Sequence, residues 1–460
     1  MLYRTTRWLL FATGVSLPLS KFHAFDIAFL SFTVNKVITA VLLGWAVVFW
    51  LASRRGIPRD HKLPWLAALA VAMAISVLTA FLGGSPMSAV LPFIVQLGSV
   101  ILFYLLILYI VLDMRCLDTL LWGYILGSGI ASISVLLGYG LEFTRTGGLG
   151  GDPNHYAYHA VIGLAIILMY FTIEKSVPVR SLLVGLGILS VVGIMASLSR
   201  GGAIAAAAVF GFWMLRMGRL DALRVLIPAA ILAGTIMFFA SPTWLERMGT
   251  IRADRVEEMD TSTRTRIVVG EYSLRAFASN PIFGVGYTRF GNWSVEHMRK
   301  LRVTGQANAL QGTEVALLGR YKSIHNAYLH VAAELGLMGL VPYLALLALS
   351  WLDYSRAWRM AKRFPGDPIL SRLYACGIFL QIGLVGALID NLVLSSLRFK
   401  GQWLLLGLSG VVLILTRQRI GELTGDKPTD GLPEVPPLPG VGGPAGGRSF
   451  EPAYESPAGR

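Results

Sequence analysis

Four short stretches of this 460-residue chain combine residue types that do chemistry together. Arg145 precedes Thr146-Gly147-Gly148-Leu149-Gly150-Gly151-Asp152-Pro153-Asn154-His155. Its glycines let backbone amides approach a ligand, while Asp152 or Asn154 equally suits a helix cap. Ser197-Leu198-Ser199-Arg200-Gly201-Gly202 puts an arginine between two apolar segments, either to hold an anion or to snorkel at a helix end. Arg264 and Arg266 open a helical pattern over 265–279 that stops at Asn280-Pro281, with Gly284-Val285-Gly286 and Arg289 beyond it. A solvated face is the plain alternative for these arginines. Ser323-Ile324-His325-Asn326 enters an apolar segment that carries His330, Glu334, Gly336 and Gly339. His330 reads as a structural core histidine, and Glu334 as a carboxylate that needs a partner.

Taken together, several arginines and one histidine make a recognisable device. Guanidinium groups grip phosphate with paired, charge-assisted hydrogen bonds. Nearby positive charge favours the neutral imidazole, which can accept a proton near neutral pH. That combination suits an attacking hydroxyl and a diphosphate leaving group whose developing charge the arginines stabilise.

The elements that must position these residues are membrane spans. The chain is 55% hydrophobic and 14% charged, with mean hydropathy +0.62; soluble domains carry about 25% charged residues, so a soluble enzyme is excluded. About twelve stretches are long and apolar enough to cross the hydrocarbon, near 7–20, 25–52, 64–82, 87–112, 117–140, 154–173, 180–198, 201–215, 222–241, 326–352, 370–390 and 402–416. Helices are the form that bonds their backbone internally in lipid. The first stretch is followed by no small-residue cleavage site, so it reads as a helix rather than a signal peptide. Cys116 and Cys376 form no metal-binding or disulfide pattern.

With a cytoplasmic N-terminus, short cytoplasmic loops gather Arg54, Arg55, Arg59, Arg115, Arg180, Arg216, Arg356 and Arg363, while the opposite short loops hold Lys21, Arg145, Arg200, Arg398 and Lys400. That is the positive-inside bias, and it puts the four chemical stretches on the outer face. The net charge of +14 is thus mainly a topology signal, not a sign of nucleic-acid binding. The expected organisation is nine spans over 1–241, a long outer loop with surface helices over 242–325, three spans over 326–416 and a Pro/Gly-rich disordered tail over 417–460. The run Asp254, Glu257, Glu258 and Asp260 reads as a solvated face, so no metal site is expected.

In motif and spacing the chain resembles the O-antigen ligase and polymerase superfamily of bacterial envelope proteins. Arg145, Gly148 and Pro153-Asn154 are similar to its R-x-x-G…P-N loop, and Ser197-x-Ser199-Arg200-Gly201 to its S-x-S-R-G element. Arg266 with Pro281, Gly284-Val285-Gly286 and Phe290 resembles its third segment, and His325-Asn326-x-Tyr328-Leu329 with Glu334-x-Gly336-x-x-Gly339 its signature. The resemblance implies an all-α polytopic, GT-C-like glycosyltransferase of the bacterial inner membrane, without metal or other cofactor. Its donor would be a polysaccharide on undecaprenyl diphosphate and its acceptor a sugar hydroxyl of lipid A–core, joined on the periplasmic side. His325 would be the base. Arg200 and Arg266, with Arg145, Arg264 and Arg289, would hold the diphosphate, and Asn154 and Asn326 would orient sugar or phosphate. An O-antigen polymerase or a protein O-oligosaccharyltransferase is the alternative within the superfamily. An anionic-substrate transporter is the rival from another class, although transporters gather their charges near the midplane.

Overall fold

The computed structural model describes residues 2–19, 22–27, 30–54, 56, 58–82, 87–142, 146–216, 261–303 and 324–425. Among them are thirteen helices: α1 (Leu2–Ser16), α2 (Val34–Ser53), α3 (Leu63–Leu82), α4 (Met87–Ile110), α5 (Met114–Glu142), α6 (Pro153–Ile173), α7 (Val177–Ala196), α8 (Arg200–Arg216), α9 (Thr261–Ser279), α10 (Phe290–Val303), α11 (Ala327–Ala361), α12 (Pro368–Asp390) and α13 (Lys400–Thr424). Eight of them, α2, α3, α5, α6, α7, α11, α12 and α13, are long and apolar enough to cross a membrane. The protein is a multi-pass membrane protein. Within α4, which contains Pro92, the apolar stretch Ile94–Ile110 is shorter, and α1 and α8 have 15 and 17 residues. The span expected at 222–241 lies outside the described residues.

Two boundaries differ from the hydropathy reading. The stretch expected as one span over 25–52 begins as an antiparallel hairpin, β1 (His23–Ile27) with β2 (Leu30–Thr33), and only α2 is helical. Phe25 and Phe32 are partners in its register. Hydropathy alone cannot separate a short apolar strand pair from a helix, and aromatic residues favour strands. At the other end α13 runs to Thr424 instead of ending near 416. Arg419 holds those extra turns by bonding Asp367 at 2.6 Å and Glu422 at 2.8 Å.

The bundle centre is built from α6 and α12, whose residues are buried almost all round. A helix that is apolar on every side belongs in such a position. Close backbone approach fixes α1 against α5: an added Cβ at Gly123 or Gly127 would stand 2.4 Å from Phe11 O and 2.3 Å from Val15 O. This is the small-residue spacing by which membrane helices pack backbone to backbone.

The end of the bundle away from the chemical stretches is tied by buried charge. Lys62, fully buried, donates to Asp353 Oδ2 and to Ser409 Oγ (2.9 Å), and its ammonium lies 3.3 Å from Asp60 Oδ2. Tyr104 donates to the same Asp60 oxygen at 2.8 Å. One cluster thereby joins the α2–α3 connection to α4, α11 and α13. Breaking a buried pair strands the surviving charge, at about 3–5 kcal/mol. Lys62→Met is therefore expected to lower thermal stability in detergent by about that amount, and adding Asp353→Leu should recover part of it; an unchanged melting temperature for the single variant would contradict the charge argument.

Candidate active site

The local structure at the site begins with a broken helix. Gly336 inside α11 has φ 62°, ψ −160°, so the helical hydrogen-bond ladder is interrupted there. In a membrane interior the freed backbone groups need partners. The turn after α9 supplies them: Val285 N donates to Ala333 O (2.8 Å), Gly286 N to Glu334 O (3.2 Å), Leu337 N to Pro281 O (2.8 Å) and Met338 N to Ile282 O (3.1 Å). Ser76 of α3 adds a bond from its hydroxyl to Glu334 O and accepts one from Tyr287 N. The approach leaves no room for side chains. A Cβ on Gly336 would lie 2.3 Å from Ile282 O, and one on Gly284, also at positive φ, 2.4 Å from Glu334 C. The Pro281…Gly284-Val285-Gly286 and Glu334-x-Gly336 patterns are thus two halves of one joint. Glu334 also receives its partner: His330 Nε2 lies 2.9 Å from Glu334 Oε2, both side chains are buried, and Tyr287 stacks on the imidazole.

A second joint unites the first two stretches. Asp152 caps α6 by accepting from Asn154 N (2.8 Å) and His155 N (3.4 Å), with Pro153 at the first helical position. Asn154 is buried, and its Oδ1 accepts the Ser199 hydroxyl at 2.9 Å. Ser199 Oγ in turn accepts Gly202 N at 3.2 Å, which is the N-cap bond of α8. Arg200 follows as the first residue of that helix and is half-buried. The asparagine read from sequence as a ligand group thus holds the turn that presents Arg200.

The turn after α12 gathers the remaining pieces. Ala327 N donates to Asn391 O (2.8 Å), Asn326 Nδ2 to Leu392 O (3.1 Å) and the Tyr328 hydroxyl to Leu388 O (3.0 Å). Asn326 also caps α11 by accepting Leu329 N at 2.9 Å, so both ends of its amide are used in fixing His325 beside this turn. A Cβ on Gly201 would stand 2.9 Å from Asp390 Oδ1, which places the Arg200 turn at the same spot. Asp390 is fully buried and its carboxylate has no hydrogen bond among the described residues; Arg266 of α9 is the cation within electrostatic reach. The turn itself is braced by Asn391, Ser396, Gln402 and Tyr343, with bonds of 3.1 Å, 2.7 Å and 2.9 Å around the Gln402 amide. The residues next to His325 and the Arg200 turn therefore meet residues 390–393, with Arg266 within electrostatic reach of Asp390; the sequence reading passed over this turn. An acidic residue at the end of an apolar span was the available signal.

The other expected site residues divide. Arg289 is half-buried just before α10, with its stem against Gly286. Arg264 lies in α9 with its side chain outside the described residues, and Arg145 is outside them altogether, as is the acidic run 254–260. α9 and α10 form their own small core, with Val269, Tyr272, Phe290 and Met298 packed against Ile324 and Ala333 at the entrance of α11. His297 of α10 stacks on Trp293, and partial burial with the charges of Arg275 and Lys300 holds its imidazole below the ordinary histidine range. Strain marks the same stretches. Of the four non-glycine residues with positive φ among the described residues, Leu198, Thr288 and His325 each sit in one of them. Such a conformation costs about 1–3 kcal/mol and persists where the surroundings dictate it, as at binding and catalytic sites.

Residues 185–344 match the family model described as O-Antigen ligase. That segment is similar to the O-antigen ligase family. It contains the Arg200 turn, the Gly336 joint and His325, while the Asn154 loop precedes it and Asp390 follows it. No curated protein matches the chain. The match supports a general role in glycosyl transfer on lipid-linked glycans.

The joint yields a direct test. Gly336→Ala should destabilise the protein by at least about 1–3 kcal/mol, because backbone must move to admit the methyl. Gly185→Ala in α7, where a Cβ meets nothing within 4 Å, should leave stability unchanged or raise it by up to about 1 kcal/mol. Equal melting temperatures for the two variants would refute the account of the joint.

Proposed function

We propose that this protein is an O-antigen ligase of the bacterial inner membrane. It transfers a polysaccharide from undecaprenyl diphosphate to a sugar hydroxyl of lipid A–core on the periplasmic side, completing lipopolysaccharide. The observation that carries this reading is that the residues next to His325 and the Arg200 turn both meet the turn at 390–393, with Arg266 within electrostatic reach of Asp390. That arrangement supports a proton acceptor and cations acting in one place. Both termini are cytoplasmic in this reading, with the site on the opposite face.

The proposed reaction is a single displacement. The acceptor hydroxyl oxygen attacks the anomeric carbon while its proton passes to His325. The bond from that carbon to the diphosphate oxygen breaks, the electron pair leaves with the diphosphate, and the anomeric centre inverts. Arg200 and Arg266 stabilise the charge gathering on the leaving group, with Arg145, Arg264 and Arg289 as further phosphate ligands. Asp390 keeps the Arg266 guanidinium oriented between turnovers. Asn154 and Asn326 act by holding Arg200 and His325, and no metal takes part.

The test is an assay of the purified protein with lipid-linked glycan and rough lipopolysaccharide, read by gel shift. His325→Ala should lower transfer by about 10²–10⁴-fold, the usual worth of a general base, with the protein still folded. Arg266→Ala should weaken donor binding and leave acceptor binding intact. Transfer that survives His325→Ala would remove the base assignment, and loss of activity on chelation would restore a metal. Glycan lengthened on its own carrier would instead mark a polymerase.

A further inference from the structure

Two arginines at the end of the bundle away from His325 are held by an aromatic ring instead of a carboxylate. Arg216 closes α8, and Arg359 lies in the last turn of α11. Both guanidinium groups sit over the Trp358 ring, 5.0 Å and 5.4 Å from its centre. Arg216 also donates to Gln381 Oε1 at 3.4 Å. The Gln381 amide is itself fixed to α11, where its Nε2 donates to Trp351 O (3.1 Å) and Ser355 Oγ (2.6 Å). Trp358 packs on α12, since a Cβ on Gly377 would stand 2.9 Å from the Trp358 Cβ. One indole thus gathers two positive charges where α8, α11 and α12 meet.

Stacking uses the face of a guanidinium and leaves the N–H groups along its edge to bond elsewhere. Among the described residues neither arginine has an acidic partner. The acids at this end of the bundle are engaged by other cations: Asp353 by Lys62, Asp367 by Arg419 and Asp118 by Arg372. Lys362 and Arg363, the next basic residues along the chain, are exposed and also lack an acidic partner among the described residues. The protein gathers positive charge here and supplies no anion to match it.

Depth in the membrane decides where the anion comes from. From Asp390, at the site end of α12, to Gly377 is roughly 20 Å at helical rise, against about 30 Å of hydrocarbon. Trp358 therefore lies in the far leaflet, toward the interface that tryptophans favour. Side chains lean toward the N-terminus of their helix, so Arg216 and Arg359 tilt back toward the bilayer, whereas a snorkelling arginine reaches out to water. Beside them Met214 and Leu215 are 50% and 79% exposed, apolar surface that suits acyl chains. An anion from water would leave that surface uncovered. A zwitterionic phospholipid brings its own cation to compete with the arginines. We infer that Arg216, Trp358 and Arg359 form a binding site for the phosphate of an anionic phospholipid whose chains lie against Met214 and Leu215. The site is separate from the proposed reaction. It joins the far ends of α8 and α11, whose other ends carry Arg200 and follow His325.

Native mass spectrometry of the full-length protein in detergent tests the site by counting bound lipid. Phosphatidylglycerol and phosphatidylcholine with the same acyl chains are the probes. The native chain should retain phosphatidylglycerol more tightly. Arg359 is exposed and forms no hydrogen bond among the described residues, so Arg359→Gln keeps the fold; it should weaken phosphatidylglycerol by about fivefold. Adding Arg216→Gln should bring the loss to about thirtyfold, with phosphatidylcholine unchanged. Arg115→Gln with Arg180→Gln, at two other exposed positions, removes the same charge and should change neither lipid. Equal retention of the two lipids by the native chain would overturn the site. So would an equal loss in the Arg115/Arg180 and Arg216/Arg359 pairs, which would reduce the effect to net charge. Displacement of phosphatidylglycerol by excess inorganic phosphate would make this a plain anion site and overturn the lipid assignment.

Discussion

A helix cannot be interrupted inside a membrane unless its freed amides and carbonyls find partners, because lipid offers none. At Gly336 they are found in the turn 281–286, through four backbone bonds. The site depends on this exchange. It fixes the first three turns of α11, which begin beside His325, relative to the rest of that helix. It also docks α9 and α10 onto α11, and so places Arg266 and Arg289. The two glycine-bearing patterns are needed because backbone must touch backbone there, and a Cβ on either side would sit well inside contact distance.

The second support is the 390–393 turn. Its Asp390 and Asn391 are buried, and the Asn391 amide is held by bonds to Gln402 and Tyr343. Satisfied networks of this kind are rigid, and half-satisfied ones are costly. The one group without a hydrogen bond among the described residues of that turn is the Asp390 carboxylate, and Arg266 is the nearby cation. A preorganised arginine costs nothing to orient when a phosphate arrives, which is where electrostatic catalysis gains its advantage. The left-handed conformations at Leu198, Thr288 and His325 fit the same picture of a surrounding structure strong enough to impose unfavourable backbone.

Much of the fold was legible because lipid imposes a coarse rule. Runs such as 154–173, 180–198 and 370–390 appear as α6, α7 and α12 within a few residues. The failures have physical causes. The run at 25–33 is mostly apolar, with Phe25, Phe29 and Phe32 at helix-like spacing, so hydropathy does not distinguish its hairpin from a helix turn. The extension of α13 to Thr424 depends on Arg419 meeting Asp367, 52 residues away in the chain.

What the sequence determined by itself is the material: a polytopic helical membrane protein, and a set of arginines, glycines and one histidine whose types suit diphosphate chemistry. Composition and local spacing are enough for that, since burial in lipid and helix termination are local decisions. Only the tertiary structure decided what each residue does for its neighbours. It made Asn154 and Asn326 holders of Ser199 and of the 390s turn, gave Glu334 to His330 and set Asp390, which the sequence reading had left out, beside the Arg200 turn. His330 and Glu334 are one helical turn apart, but the asparagine bonds join residues 45 and 66 positions apart, and no local pattern encodes which of many possible partners such a polar group will meet.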